Sequence, residues 1–297
     1  MSKITGTFVI TKGNKEVFRS SNIITDAGRI VILKYMSGGG DFFADSLAIG
    51  VDTSAPATTD TGLGFEVSRL PITVSVSDPE NSKVLFKSSF PEGIQLKINE
   101  IGLFSSQQGD NSYLHSTFGL DEQWEGELYT NNVDTRIGLS GTAVDLDANS
   151  TVTISKPTIS NLSYLGSEDV FRLAVILYDD NCESIAIKFT DIDGGEMLGT
   201  YAIPTYTSSP DPQYEIIDLE QVEFSGLTNL WGSITKMDMV VVSKVAGATT
   251  IVLDGLRIID NNIQLGSEII AKTGLSEEVV KLATESLEVQ YSLSVPI

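Results

Sequence analysis

Carboxylates, and after them aromatic rings, are the side chains of this 297-residue chain that could do chemistry. Asp and Glu number 40 against 19 Lys and Arg, so the net charge is −21. There is one histidine, His115, and one cysteine, Cys182. A Ser-His-Asp or Cys-His relay would therefore depend on His115 alone. Neither a G-x-S-x-G elbow nor an H-E-x-x-H metal helix occurs. A single cysteine allows no intrachain disulfide and no thiolate metal site, and Cys182 reads as a buried, unreactive thiol. Glycosidases need two carboxylates about 5–9.5 Å apart across a cleft, and no pair stands out for that role here. No catalytic residue is assigned, and the chain reads as non-enzymatic.

Two binding chemistries stay open. The run Asp191-Ile192-Asp193-Gly194-Gly195-Glu196 starts like an oxygen-ligand loop, without the full twelve-residue spacing and terminal bidentate glutamate. Asp191, Asp193 and Glu196 are thus candidate ligands for a structural Ca²⁺, against the commoner reading as solvated turn acids. Asp179-Asp180-Asn181 is a second hard-ligand cluster. No other cofactor is expected. Sugar binding needs aromatic platforms with polar neighbours. Trp124, Trp231, Tyr201, Tyr206 and Tyr214 are available. Trp231 begins the W-G-S-I-T-K turn into a strand. Tyr201, Tyr206 and Tyr214 flank the Ser/Pro-rich loop Thr205–Gln213 and are the candidate glycan contacts. So acidic a surface repels phosphate, which argues against nucleic acid and anionic membranes as partners. No apolar run approaches the about 20 residues of a membrane span. The polar, alternating start M-S-K-I-T-G-T-F is unlike a signal peptide, so cytoplasmic synthesis without such an address is expected.

The elements that must hold these residues are mostly strands. Ile94, Leu96 and Ile98 alternate with Gln95, Lys97 and Asn99, the period of a strand with one face buried. After Phe104 comes a polar loop and then a differently built region. The next stretch of matching period is Val289, Tyr291, Leu293 and Val295. The pattern predicts a first domain, 1–111 and 263–297, interrupted by a second, 112–262, since loop tips tolerate insertions best. In the first domain, Lys12-Gly13-Asn14 predicts a hairpin turn. Thr25 can cap a helix whose apolar face is Ile24, Ala27, Val31 and Tyr35, widened by Ile30 and Leu33. Strands are expected at Ser46–Val51, Leu70–Val76 and Lys83–Phe90. Glu268–Leu282 is ambiguous: Ser276-Glu277-Glu278 could cap a helix, while Val279-Val280 favour a strand. In the second domain seven strand candidates, from Leu139–Val144 to Thr250–Ile258, are separated by turn residues at sandwich-like spacing. The fold class is mainly β: a small split α+β or β-sandwich domain with one helix, interrupted by a β-sandwich.

Two sets of blocks carry resemblances. N-I-I-T-D-A-G-R at 22–29, S-L-A-I-G-V at 46–51, D-T-G-L-G-F-E-V-S-R at 60–69 and N-E-I-G-L-F at 99–104 follow an order that resembles bacteriophage tail-collar fibre and related virion structural proteins. In the simpler pattern the closing strand follows soon, without the long interruption after Phe104. The insert is similar to carbohydrate-binding-module jelly rolls of the galactose-binding type. That similarity rests on D-E-Q-W-E-G at 121–126, F-R-L-A-V-I-L-Y-D at 171–179, D-L-E-Q-V-E-F-S-G at 218–226, W-G-S-I-T-K-M-D-M-V-V-V at 231–242 and T-I-V-L-D-G-L-R-I-I-D at 250–260. The resemblances imply a virion part of the tail, baseplate, collar or capsid surface, assembled in a host cytoplasm. They imply other virion proteins as partners and a homo-oligomer, a trimer by preference. They also imply an outward jelly roll that either is structural or touches a host-surface glycan.

Overall fold

In a computed structural model of the chain, Gly13 and Asn14 both take positive φ, 51° and 69°. This two-residue turn folds strand β1 (Thr5–Lys12) back on β2 (Lys15–Ser21), because its twist matches that of the paired strands. The described residues are 4–39, 43–93, 95–106, 113–119, 122, 124–126, 129–131, 135–138, 140–206, 211–226, 231–259 and 268–294. The chain divides into one unit of residues 1–108 with 263–297 and another of residues 109–262.

The first unit continues with β3 (Ile23–Ile24) and helix α1 (Asp26–Met36). The Thr25 hydroxyl accepts from the Gly28 N–H at 2.9 Å and donates to the Ile269 carbonyl. A Cβ on Gly28 would collide with the Ile270 backbone, so only glycine lets the helix rest there. The expected apolar face is corrected: Val31 is buried, but Ile30, Leu33 and Tyr35 are 50%, 66% and 53% exposed, and Met36 beyond that face is 75% exposed. Seating through Thr25, Gly28 and Val31 uses a stripe narrower than the sequence pattern.

Strands β4 (Ser46–Gly50), β5 (Glu66–Pro71), β6 (Val74–Asp78), β7 (Lys83–Phe90) and β8 (Leu96–Phe104) follow. The stretch Leu70–Val76 is two strands in two sheets, divided just after Pro71. After the second unit the chain returns as β20 (Ile269–Lys281) and β21 (Leu287–Ser294). One sheet runs β2-β1-β21-β7-β6 and the other β3-β20-β8-β4-β5. The partner of β8 is therefore β20, not the C-terminal stretch around Val289. That stretch, β21, pairs with β1 and β7, where Phe8, Tyr291 and Phe86 sit in register across three strands. A register shift between Gly274 and Val279 breaks the alternation of β20, which hid this strand from a period-based reading. Nor does β8 keep a wet face: from Ile98 to Phe104 every residue is buried.

The second unit is a two-sheet sandwich. One sheet holds β9 (Tyr113–Ser116), β10 (Tyr129–Asn131), β11 (Gly141–Leu146), β13 (Val170–Leu177), β16 (Gln213–Glu220) and β19 (Thr249–Ile259), in the order β10-β11-β19-β13-β16 with β9 also on β19. The other runs β12 (Thr151–Ser160), β18 (Ile234–Ser243), β14 (Cys182–Asp191), β15 (Glu196–Tyr201) and β17 (Ser225–Gly226). The chain switches sheet at β11 to β12, β12 to β13, β13 to β14, β15 to β16, β16 to β17 and β18 to β19, the crossing pattern of a jelly roll. Val144, Val175, Leu177, Ile251 and Leu253 from one sheet meet Ile154, Ile185, Ile187, Met239 and Val241 from the other in a single core.

Candidate functional site

The motif residues of the first unit are occupied with one another. Glu100, buried in β8, accepts from the Phe65, Gly64 and Asp52 N–H groups at 2.9, 3.0 and 3.3 Å. It also pairs with Lys272 of β20 at 3.2 Å, and Lys272 pairs with Asp60 at 3.1 Å. Burial opposes the Lys272 charge, but Glu100 and Asp60 outweigh it and hold the ammonium above the usual lysine range. Gly50 is required because a Cβ would strike the Glu100 carboxylate. Glu66 pairs with Arg69 at 2.5 Å, and the Arg69 guanidinium lies 3.5 Å over the Phe104 ring. One carboxylate thus organises the loop of residues 52–65 from a neighbouring strand.

In the second unit the candidate Ca²⁺ ligands are not assembled. Asp191 is buried, and its Oδ1 accepts from the Asp193 and Gly195 N–H groups at 2.9 and 2.7 Å. That closes the turn from β14 to β15, where Gly194 takes φ 80°. Asp193 lies exposed on the turn, and Glu196 pairs with Lys188 at 2.9 Å. Among the described residues no group of three His, Cys, Asp or Glu side chains is placed to hold a metal. Asp179 likewise serves its loop, accepting from the Asn181 N–H and the Thr249 hydroxyl, each at 2.8 Å.

The three candidate glycan tyrosines fall in three environments. Tyr201 is 2% exposed inside the sandwich core and offers no ring to a ligand, so the expectation of an exposed set is corrected there. As the end of β15 its side chain points inward, a consequence of register that loop composition does not reveal. Tyr206 packs on the rim of the same core, with its hydroxyl donating to the Asp211 carbonyl at 3.3 Å. Residues 207–210 of the flanking loop lie outside the described residues. Tyr214 lies on the opposite, outer face of its sheet. Trp231 joins Phe171, Phe189 and Phe224 against the core, and Trp124 stacks on Phe118 at 4.9 Å. Burial lowers His115 to about 4 and pushes the Cys182 thiol up to about 11, so neither is ready as base or nucleophile near neutral pH.

The outer face around Tyr214 is the built surface. Tyr214 opposes Ile176, Ile176 opposes Val252, and Val252 opposes Ala143, one row across four strands. Ile176, Val252 and Ala143 are buried under Tyr178 and Tyr214. In the next row Thr250 opposes Asp145, its hydroxyl donating to the carboxylate at 2.7 Å. Beside this row opens a cleft of about 560 Å³ lined by Asp145, Asp147, Ser150, Thr151, Asp179 and Thr250. On the other side, fully buried Asp254 accepts from the Arg136 and Ile137 N–H groups at 2.7 and 3.3 Å. The Arg136 guanidinium lies 3.9 Å over the Tyr214 ring. Rings can take the C–H faces of a pyranose, while carboxylate and hydroxyl oxygens accept its O–H groups. Sequence reasoning missed Tyr178, Asp145, Arg136 and Asp254. The alternation Ala174, Ile176, Tyr178 was readable, but which strand lies beside it was not.

No protein-family model matches the chain, and no curated protein matches it by sequence. Among solved structures, an exo-beta-agarase aligns over 53% of this chain and 26% of its own at 12% identity, with a TM-score of 0.39. The family 11 carbohydrate-binding module of the cellulosomal cellulase Lic26A-Cel5E of Clostridium thermocellum aligns over 52% of this chain and 96% of its own at 11% identity and 0.38. The enzymatically active domain of bacteriophage CBA120 tailspike protein 4 aligns over 48% and 20% at 10% identity and 0.33. The chain spans about a quarter of the length of the agarase. At these TM-scores the likenesses say nothing about what the chain binds.

Proposed function

We propose that the chain is a non-enzymatic structural protein of a bacteriophage virion, sited on the tail, baseplate, collar or capsid surface. The observation that carries this reading is the use made of the blocks that resemble phage tail proteins. Thr25, Gly28, Gly50, Glu66, Arg69 and Glu100 all serve to lock the split unit together. Such a unit suits the role of a rigid holder. The exposed apolar side chains Ile30, Leu33, Tyr35 and Met36 suit burial against another virion protein or further copies of the chain, a trimer by preference. Mass spectrometry of gradient-purified particles, followed by a density map of the intact particle, tests the reading. Absence of the protein from purified particles sinks it.

A second reading adds recognition of a host-surface glycan by the inserted sandwich. It is favoured by Tyr214 and Tyr178, which pack over the outer-face cluster, beside a cleft within the usual volume range of small-ligand sites. The net charge of −21 favours a neutral glycan. A glycan array with the full chain, against Tyr178→Ala and Tyr214→Ala, is the check. Retention that is absent, or unchanged in both variants, removes this reading.

A further inference from the structure

We propose that β6 is a self-pairing edge, where a second copy of the chain adds its own β6 antiparallel about a two-fold axis at Ser75. The proposal does not rest on the virion reading. An edge strand leaves a row of backbone N–H and C=O groups open to another strand unless something blunts it. Among the described residues the two sheets of the split unit have four edges, β2, β6, β3 and β5. Three are blunted. Strand β2 carries Lys15, Glu16 and Arg19, and its register on β1 shifts between Ile10 and Thr11. Strand β3 is two residues long. Strand β5 holds the Glu66–Arg69 pair, is buried at Glu66 and Val67, and ends in Pro71. Strand β6 has none of these devices. Val74, Ser75, Val76 and Ser77 carry no charge, include no proline, pair with β7 without a shift, and are all exposed.

The strand is complementary to itself in one register. Ser75 opposes Phe86 of β7, whereas Val74 and Val76 share the other face with Lys87 and Leu85. An antiparallel pair centred on Ser75 sets Val74 against Val76 of the second copy, Ser75 against Ser75 and Thr73 against Ser77. The valines of both copies then join both Leu85 side chains in one apolar band. Asp78, the one charge in β6, falls opposite Ile72. The two Asp78 carboxylates thus stand roughly 20 Å apart along the ribbon, beyond a Debye length of about 8 Å. A chain of net charge −21 can associate with itself only where like charges are kept apart in this way. Centred on Val76 instead, the pair would set each Asp78 against Val74. This self-match of valine, serine and charge selects a second copy over a foreign strand. The two five-stranded sheets become one of ten strands, within the size that open twisted sheets reach. A two-fold contact doubles whatever the chain otherwise forms, so a single chain becomes a dimer and a trimer becomes a pair of trimers.

The test is light scattering of the full chain at micromolar concentration. The wild-type mass should correspond to an even number of chains. Val74→Lys combined with Val76→Lys sets lysine against lysine across the axis and should halve that mass. Val74→Glu combined with Val76→Glu should do the same, and an equimolar mixture of the two variants should restore it. Val74 and Val76 are 40% and 47% exposed in the single chain, so the variants should melt with the wild type. Ser75→Cys should oxidise to a disulfide-linked dimer several-fold faster than Ser77→Cys, whose counterpart is Thr73. The native Cys182 is buried and does not compete. Should the charged variants melt early, the two cysteine variants decide. A wild type that is monomeric or trimeric overturns the proposal. So does a mass unchanged in both folded charged variants, a mixture that stays at the halved mass, or Ser77→Cys cross-linking as fast as Ser75→Cys.

Discussion

Both units bury carboxylates, and Glu100 in the split unit and Asp191 in the sandwich satisfy theirs in opposite ways. In the split unit Glu100 reaches remote segments: the loop at Asp52, Gly64 and Phe65, and Lys272 across the whole insert. In the sandwich Asp191 takes the N–H groups of its own turn, and Asp169 that of Gly166, three residues away. Asp254 and Asp238 reach further, the first pinning the loop that carries Arg136 and the second taking the Ser155 hydroxyl and the Lys188 ammonium. The difference teaches where each unit gets its definition. The split unit needs long-range ionic ties to join two distant pieces of chain. The sandwich is defined by its apolar core, and Asp169, Asp191 and Asp254 shape its loops.

The largest effect that would sharpen this contrast is truncation. Removing everything after Asp260 deletes β20 and β21, with buried Ile269, Ile270, Val279, Leu287, Val289, Tyr291 and Leu293. Each such side chain stabilises by about 1.5–3 kcal/mol, against a domain total of about 5–15 kcal/mol, so residues 1–104 should not fold alone. Excising the insert should be mild by comparison. The Ser105 N–H donates to the Glu268 carbonyl at 3.0 Å, so a short Gly/Ser turn from Ser106 to Glu268 closes the gap. Loop-closure cost changes slowly with length, and a loss of no more than about 1–2 kcal/mol is expected in circular-dichroism melts. A cooperative melt of residues 1–104 by themselves breaks the account.

Next comes Glu100→Ala, which strands Lys272 without its buried partner and should cost about 3–5 kcal/mol. Asp191→Ala, which removes two local bonds, should cost only about 1–3 kcal/mol. Equal losses in denaturant titrations of the two variants would erase the distinction drawn between the units. The pH response should also differ. His115 is held neutral down to about 4, below its ordinary 6.5, first by burial and then by Lys156, with Glu122 opposing. A lowered folded value means that its contribution is complete above pH 6.5 and lost as pH falls toward 4. At about 1.36 kcal/mol per unit, the sandwich should lose up to about 3 kcal/mol over that window. Lys272 is raised, so its contribution to the split unit is complete below 10.5 and lost as pH rises through its folded value. Proton NMR of the single histidine checks the acid limb, and a His115 midpoint between 6 and 7 would contradict it. The smallest expected effect is Thr25→Ala. Loss of this cap should lower the stability of the split unit by about 1 kcal/mol and leave the sandwich untouched. Differential scanning calorimetry separates the two transitions.

Much of this was legible before any coordinates. Apolar runs bounded by turn residues marked β7, β13, β14, β18 and β19 to within a few residues, because turn chemistry punctuates strands locally. Thr25 and Gly13-Asn14 were readable because caps and tight turns are chemistry local to a few residues. Composition alone determined that a Cys-based metal site is impossible and that any histidine chemistry rests on His115. Tertiary structure alone decided the rest. It made β20 the neighbour of β8, since a bulge cancels the period that would have announced it. It turned Tyr201 inward and Tyr214 outward, though both flank the same polar loop. It set Arg136 over Tyr214, 78 residues away in the chain, through a carboxylate at 254. Partners separated by so much chain leave no local pattern, since only the pairing of strands brings them together.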